Sequence, residues 1–107
     1  MTKRRSVFDK IMANSERRES YKKRAMQFEL GYQIQRVMME TEVGQKDLVE
    51  ELGVDKAEVS RKVNGGLEKS NMATIQRYAK ALGCRFIPLI VREEDVNDVH
   101  ERLEGLI

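Results

Sequence analysis

The chain is short of the residues with which small proteins staple a fold or do chemistry. It has one proline, one cysteine, one histidine and no tryptophan. A lone Cys84 cannot close a disulfide within the chain or supply metal-ligand spacing. It is expected to be a small buried hydrophobe near the start of a strand. A lone His100 excludes a histidine metal cluster and a histidine-based triad. It is expected on a helix surface in an acidic tail. No apolar run approaches the ~20 residues of a membrane helix. The basic N-terminus is not followed by the apolar stretch of a signal peptide. Cytoplasm is the expected compartment, with no membrane partner. Gly65-Gly66 lacks the spacing and the following Lys-Ser of a phosphate-cradling loop. The acidic neighbours Glu50-Glu51 and Glu93-Glu94 point to different helix faces and read as solvated surface. No catalytic residue, metal site or cofactor is expected, and the chain is not read as an enzyme.

What is present is charge, unevenly spread. Charged residues make up 36% of the 107 positions, against roughly 25% in an average domain. The length suits one small domain with extensions. The net charge of +2 divides sharply: residues 1–24 hold nine Lys or Arg and three Asp or Glu, and the remainder carries a net −4. Much of the excess acid lies in Glu93, Glu94, Asp95, Asp98, Glu101 and Glu104. Bulk charge therefore does not argue for nucleic acid. A local basic face still can, because charges beyond a Debye length of ~8–10 Å are screened.

Helical spacing dominates the chain. Ser6 can cap a short helix over residues 7–13, and Ser15 a second helix. Tyr21, Ala25 and Phe28 recur on one stripe, as do Leu30, Ile34, Val37, Met38 and Thr41. These form one long amphipathic helix, or two with a joint near Gly31. Met26, Met38, Met39 and Met72 are expected core filler. Asn71 can cap a helix from Met72 to Leu82, with Met72, Ile75, Tyr78, Ala79 and Leu82 inward; residues 67–71 before it read as a loop. The period then changes. Residues 84–91, with Arg85, Phe86, Ile87, Leu89, Ile90 and Val91, read as a β-strand. Pro88 makes it an edge strand or a bulged one. The chain offers this strand no partner, so pairing with a second copy in a two-fold dimer is expected. Val96, Val99, Leu103, Leu106 and Ile107 suggest a short final helix.

The stretch from Gly44 to Gly66 carries the most information. Leu48, Val49 and Leu52 form the apolar face of one short helix. Gly53 suits its left-handed terminus. Asp55 is placed to cap the next helix. Val54, Val59 and Val63 point inward, while Lys56, Ser60, Arg61 and Lys62 lie on the exposed face. A short helix with buried valines and an outward row of cations and hydroxyls fits a DNA major groove. There Arg61 and Lys56 can both point outward, and Ala57 can touch a thymine methyl.

The same residues resemble the helix-turn-helix of the Xre/Cro phage-repressor family. The match rests on Gln45, Leu48, Leu52-Gly53-Val54, Val59-Ser60-Arg61 and Asn64-Gly65, followed by Thr74-Ile75 and Tyr78 to Gly83. It departs at Gly44, where a Thr or Ser cap is common, and at Lys62, where an apolar residue often sits. The resemblance implies that Gln45 and Asn64 hold phosphates while Lys56, Ala57, Ser60 and Arg61 face bases; Lys46 and Lys62 can add backbone contacts. The expected fold is all-α, a phage-repressor-like helix-turn-helix bundle with one C-terminal β-strand and a short C-terminal helix. The expected parts are a basic helical extension (1–29), the helix-turn-helix domain (30–83) and a dimerisation strand with an acidic helix (84–107).

Over about residues 8–91 the chain also resembles antitoxins of HigA type. That resemblance implies a dimeric repressor of its own operon with a toxin partner of the RelE/HigB ribonuclease class. The amphipathic residues Phe8, Ile11, Met12 and Tyr21 are the candidate partner-binding set. The rival readings are a stand-alone phage or prophage regulator, and a protein-interaction module that kept the fold without DNA binding.

Overall fold

The computed structural model describes residues 28–106, together with 15, 16, 18, 19, 22 and 26, which are helical and exposed. The helix expected over residues 7–13 and the partner-binding set Phe8, Ile11, Met12 and Tyr21 lie outside the described residues. The chain divides into two units, Glu29–Pro88 and a second that combines Phe28 with residues 89–106.

The first unit is helical. Its elements are α1 (Leu30–Thr41), α2 (Gln45–Leu52), α3 (Lys56–Val63), a 3-10 turn (Gly66–Lys69) and α4 (Met72–Ala81). Phe28 and Glu29 form a turn and a bend before α1, so the joint expected near Gly31 falls two residues earlier and Gly31 sits in the first turn of α1. Apolar residues at i, i+4 and i+8 bury Ile34 and Met38, with Leu30 and Val37 partly covered. Helix α2 packs on α3 and α4, and α1 packs on α3 and the 3-10 turn. Leu48, Val59, Val63 and Leu67 are fully buried at the centre, ringed by Ile34, Met38, Ile75, Tyr78 and Leu82. Each such aliphatic side chain contributes about 1.5–3 kcal/mol on leaving water.

Leu67 is the unexpected member. Residues 67–71 read as a loop, yet the short 3-10 turn there drops Leu67 into the core. Met72 is the converse. It was expected inward but is 57% exposed, because the buried stripe of α4 begins at Ile75. Met26 and Met39 are also exposed, so of the four expected filler methionines only Met38 lies in the core.

The C-terminal β-strand is not found. Residues 84–92 adopt no regular secondary structure, and no strand occurs among the described residues. The reason is the missing ladder. Among the described residues the local substitute is a side chain: Gln76 of α4 accepts the Phe86 N–H at Oε1 (2.9 Å) and donates Nε2 to the Phe86 carbonyl (3.1 Å). This amide pairs one residue's worth of backbone, as a neighbouring strand would, and draws Phe86 partly into the core. Arg85, Ile87, Leu89, Ile90 and Val91 stay exposed. Cys84 is likewise exposed rather than buried, held at the end of α4 by its N–H to the Ala79 carbonyl at 2.8 Å.

The second unit contains a 3-10 turn (Glu93–Asp95) and α5 (Val96–Leu103). Here His100 is not a free surface residue. Its ring stacks on Phe28 with centroids 4.2 Å apart and planes 5° from parallel. Among the described residues no helix is long and apolar enough to cross a membrane.

Candidate nucleic-acid interface

Capping sets where α2 and α3 begin and end. Gly44 has no side chain to cap α2, but Asp47 reaches back and accepts the Gly44 N–H at 2.8 Å. This supplies the second half of a capping box without the first. Gly53, at φ +67°, ends α2 in the left-handed region, and its N–H bonds the Val49 carbonyl at 3.0 Å. Arg77 of α4 donates to the Leu52 carbonyl at 3.3 Å, tying the turn to the helix beneath. Asp55 accepts the Glu58 N–H at 2.7 Å and starts α3. The turn between the helices is therefore fixed from both sides.

The orientation of α3 follows from its two buried valines. Val59 and Val63 are fully covered. At about 100° per residue, Ala57 and Arg61 lie on the opposite face, with Asn64 and Ser60 beside them. Ala57, Arg61 and Asn64 are exposed, and Ser60 is half-buried. Lys56 is exposed in the first turn, but it sits about 140° around the helix from Arg61, so the two cations reach outward from different sides. Lys46, in the first turn of α2, is exposed, while Gln45 is half-buried. The side chains of Lys46, Lys56 and Arg61 form no ion pair or hydrogen bond among the described residues. Asp55 and Glu58 add negative charge at the start of α3. That favours the positive end of the helix dipole but opposes phosphates.

Two expected contact residues are engaged internally. Lys62 is half-buried; its Nζ donates to Ser70 Oγ at 2.6 Å, and Ser70 in turn donates to the Gly66 carbonyl at 3.0 Å. This stem covers the loop after α3 where an apolar side chain would otherwise sit, and Val63 takes the core position. Asn64 donates Nδ2 to the Ser60 carbonyl at 2.7 Å and approaches Ser60 Oγ at 3.4 Å. Gln35 of α1 donates to the Val63 carbonyl at 2.8 Å and to Asn64 Oδ1 at 3.2 Å. Gln35, Gln76 and Ser70 had no sequence signal: each is a polar residue beside a helical stripe, and its partner is distant or loop-borne. Leu67, an apolar residue within a polar loop, was a signal that could have been read.

Gly66 makes the close turn behind α3 possible. A Cβ there would lie 2.7 Å from the Arg61 carbonyl oxygen. Among the described residues, no group of three His, Cys, Asp or Glu could hold a metal ion. The arrangement is a short helix, capped at both ends and seated on a packed base. It displays a methyl, a hydroxyl and a guanidinium.

A family model, the Cro/C1-type HTH DNA-binding domain, matches residues 33–95, a span that includes α2, the turn and α3. No curated protein and no solved structure matches the chain.

Proposed function

This chain belongs to the Cro/C1-type helix-turn-helix DNA-binding family, and from that premise we propose that it is a sequence-specific repressor that reads an operator through α3. The observation that carries this reading is the outward face of α3. Ala57, Ser60 and Arg61 share it, and Arg61 has no competing partner among the described residues. An arginine fork matches the two acceptors of a guanine edge in the major groove, and an alanine matches a thymine methyl. Lys56 reaches the groove from the first turn of α3. Lys46, at the start of α2, contacts the phosphate backbone. Arg61→Ala and Lys56→Ala should each weaken operator binding by about 1–3 kcal/mol and relax base preference. Lys46→Ala should weaken all duplexes alike and lower the salt slope by about 1. Unchanged operator affinity in both α3 variants would remove the assignment.

The same reading extends to assembly and partner. The repressor acts as a two-fold dimer through the apolar residues Ile87, Leu89, Ile90 and Val91, which are exposed in the single chain. A dimer places two recognition helices about one DNA turn apart, roughly 34 Å. Truncation after Gly83 should give monomers with much weaker operator binding. The resemblance to HigA-type antitoxins supports a further role in neutralising a RelE/HigB-class toxin through residues 1–30. Deleting residues 1–24 should abolish toxin neutralisation and leave operator binding nearly intact. A loss of operator binding with toxin binding retained would make that segment a DNA clamp.

A further inference from the structure

Among the described residues, Gln35 is the side chain outside the motif that reaches both a terminal carbonyl of α3 and a side chain on its outward face. Its Nε2 carries two hydrogens. One goes to the Val63 carbonyl at 2.8 Å and the other to Asn64 Oδ1 at 3.2 Å. A carbonyl oxygen only accepts, so Val63 fixes which way the Gln35 amide points. The same logic fixes Asn64: its Nδ2 donates to the Ser60 carbonyl at 2.7 Å, which leaves Oδ1 facing Gln35. Two amides in series are thus locked by two backbone oxygens.

We infer that Gln35 is a positioning residue for base readout, holding Asn64 and the neighbouring Ser60 hydroxyl in one orientation beside Arg61. This rests on the reading of α3 as the DNA-contacting helix. The consequence is chemical. With Asn64 Nδ2 beside Ser60 Oγ at 3.4 Å, the Ser60 hydroxyl is approached as an acceptor and keeps its own hydrogen for an acceptor outside the helix. Without Gln35, Asn64 Oδ1 loses its partner and the amide is held only through its Nδ2 bond to the Ser60 carbonyl. The Asn64 side chain can then leave that single bond and swing outward, and the Val63 carbonyl loses its donor. Gln35 itself touches no DNA in this scheme.

The test uses the full chain and a randomised DNA duplex library. Sites are selected with the wild type, and affinities for the selected site and an unrelated duplex are measured across salt. Gln35→Met keeps the length and removes both donors. Gln35→Glu keeps the shape and sets a carboxylate against two oxygens. The ratio of selected to unrelated affinity should fall about five- to tenfold in Gln35→Met, and further in Gln35→Glu. The salt slope should not change in Gln35→Met, because no charge is gained or lost. In an Asn64→Ala background, Gln35→Met should have a much smaller effect, as coupled neighbours show. The Asn64 side-chain amide protons should exchange faster with water in Gln35→Met, with no DNA present. Should Gln35→Met fail to fold, Gln35→Lys restores a donor to both oxygens and should keep the wild-type base preference. A folded Gln35→Met with wild-type preference, or one that loses melting temperature alone, would overturn the inference. A wild type that selects no sequence would instead overturn the DNA-binding reading beneath it, before any variant is compared.

Discussion

Residues 45–82 and residues 84–91 are both rich in apolar side chains, yet among the described residues only the first stretch finds its partners. In the first, the stripes of α2, α3 and α4 meet on a common core, and Leu48, Val59 and Val63 are fully buried. In the second, Phe86 alone is partly covered, while Ile90 is 103% exposed. The difference is backbone economy. A helix satisfies its own N–H and C=O groups and needs a neighbour only for one face. An extended segment needs a partner for its backbone as well, and Gln76 supplies that for a single residue.

The sharpest way to break this comparison is to truncate one apolar residue from each stretch. Leu48→Ala should cost about 2–5 kcal/mol of folding stability, read by urea denaturation. Ile90→Ala should stay within about 0.5 kcal/mol of wild type in dilute protein. A cost for Ile90→Ala that grows with protein concentration would mean that the apolar edge is buried between copies, and the two stretches would then differ in where their partners lie.

Gly66→Ala comes next. The added methyl would meet the Arg61 carbonyl oxygen at 2.7 Å, and both groups belong to backbone that cannot swing aside. A loss of about 1–3 kcal/mol is expected, measured by thermal or urea unfolding. Wild-type stability would mean that the loop behind α3 relaxes freely.

Asp55 separates stability from binding. Asp55→Ala removes the acceptor for the Glu58 N–H and should cost about 0.5–2 kcal/mol. Asp55→Asn keeps a good capping residue and removes the charge. It should hold stability and tighten duplex binding at low salt, because a carboxylate no longer faces phosphates. Unchanged duplex affinity in Asp55→Asn would place the start of α3 away from the DNA backbone.

Legibility followed the same divide. The turn around Gly53, the caps at Asp55 and Asn71, and the inward valines of α3 were readable because each depends on neighbours within four residues. The family-level outward face of α3 was readable for the same reason. Contacts that cross the chain were not. Gln35 meets Asn64 29 positions away, and Gln76 meets Phe86 10 positions away. A polar residue beside a helical stripe looks solvated until the fold brings its partner. Lys62 is a different case: a lysine in an apolar slot reads as a cation for DNA, and in the fold its amine also meets Ser70, eight positions away. The strand expectation failed because composition records a preference for extended backbone but not the presence of a second strand.

A small effect at neutral pH should come from Tyr78, a residue of the well-packed stretch that breaks its pattern. It is 2% exposed, and its hydroxyl has no protein hydrogen-bond partner among the described residues. Burial raises its pKa above the ordinary tyrosine value; Glu58 and Asp55 push the same way, and Arg77 opposes them. Removing an unsatisfied buried hydroxyl while keeping the ring is nearly neutral or mildly stabilising. Tyr78→Phe should therefore change neutral-pH stability by no more than about 1 kcal/mol. The sign reverses nothing below the unfolded tyrosine pKa of about 10, where the group is protonated in both states. Above that pH the unfolded chain releases the proton while the folded chain keeps it, so the folded state binds more protons and stability falls as pH rises. Tyr78→Phe should lose that part of the alkaline decline. Urea midpoints of the two proteins should separate as pH rises above the unfolded tyrosine pKa of about 10, with the variant the more stable. Parallel curves through that range would mean that the Tyr78 hydroxyl already has a partner or meets solvent, and that the core of the first stretch is less complete than its burial suggests.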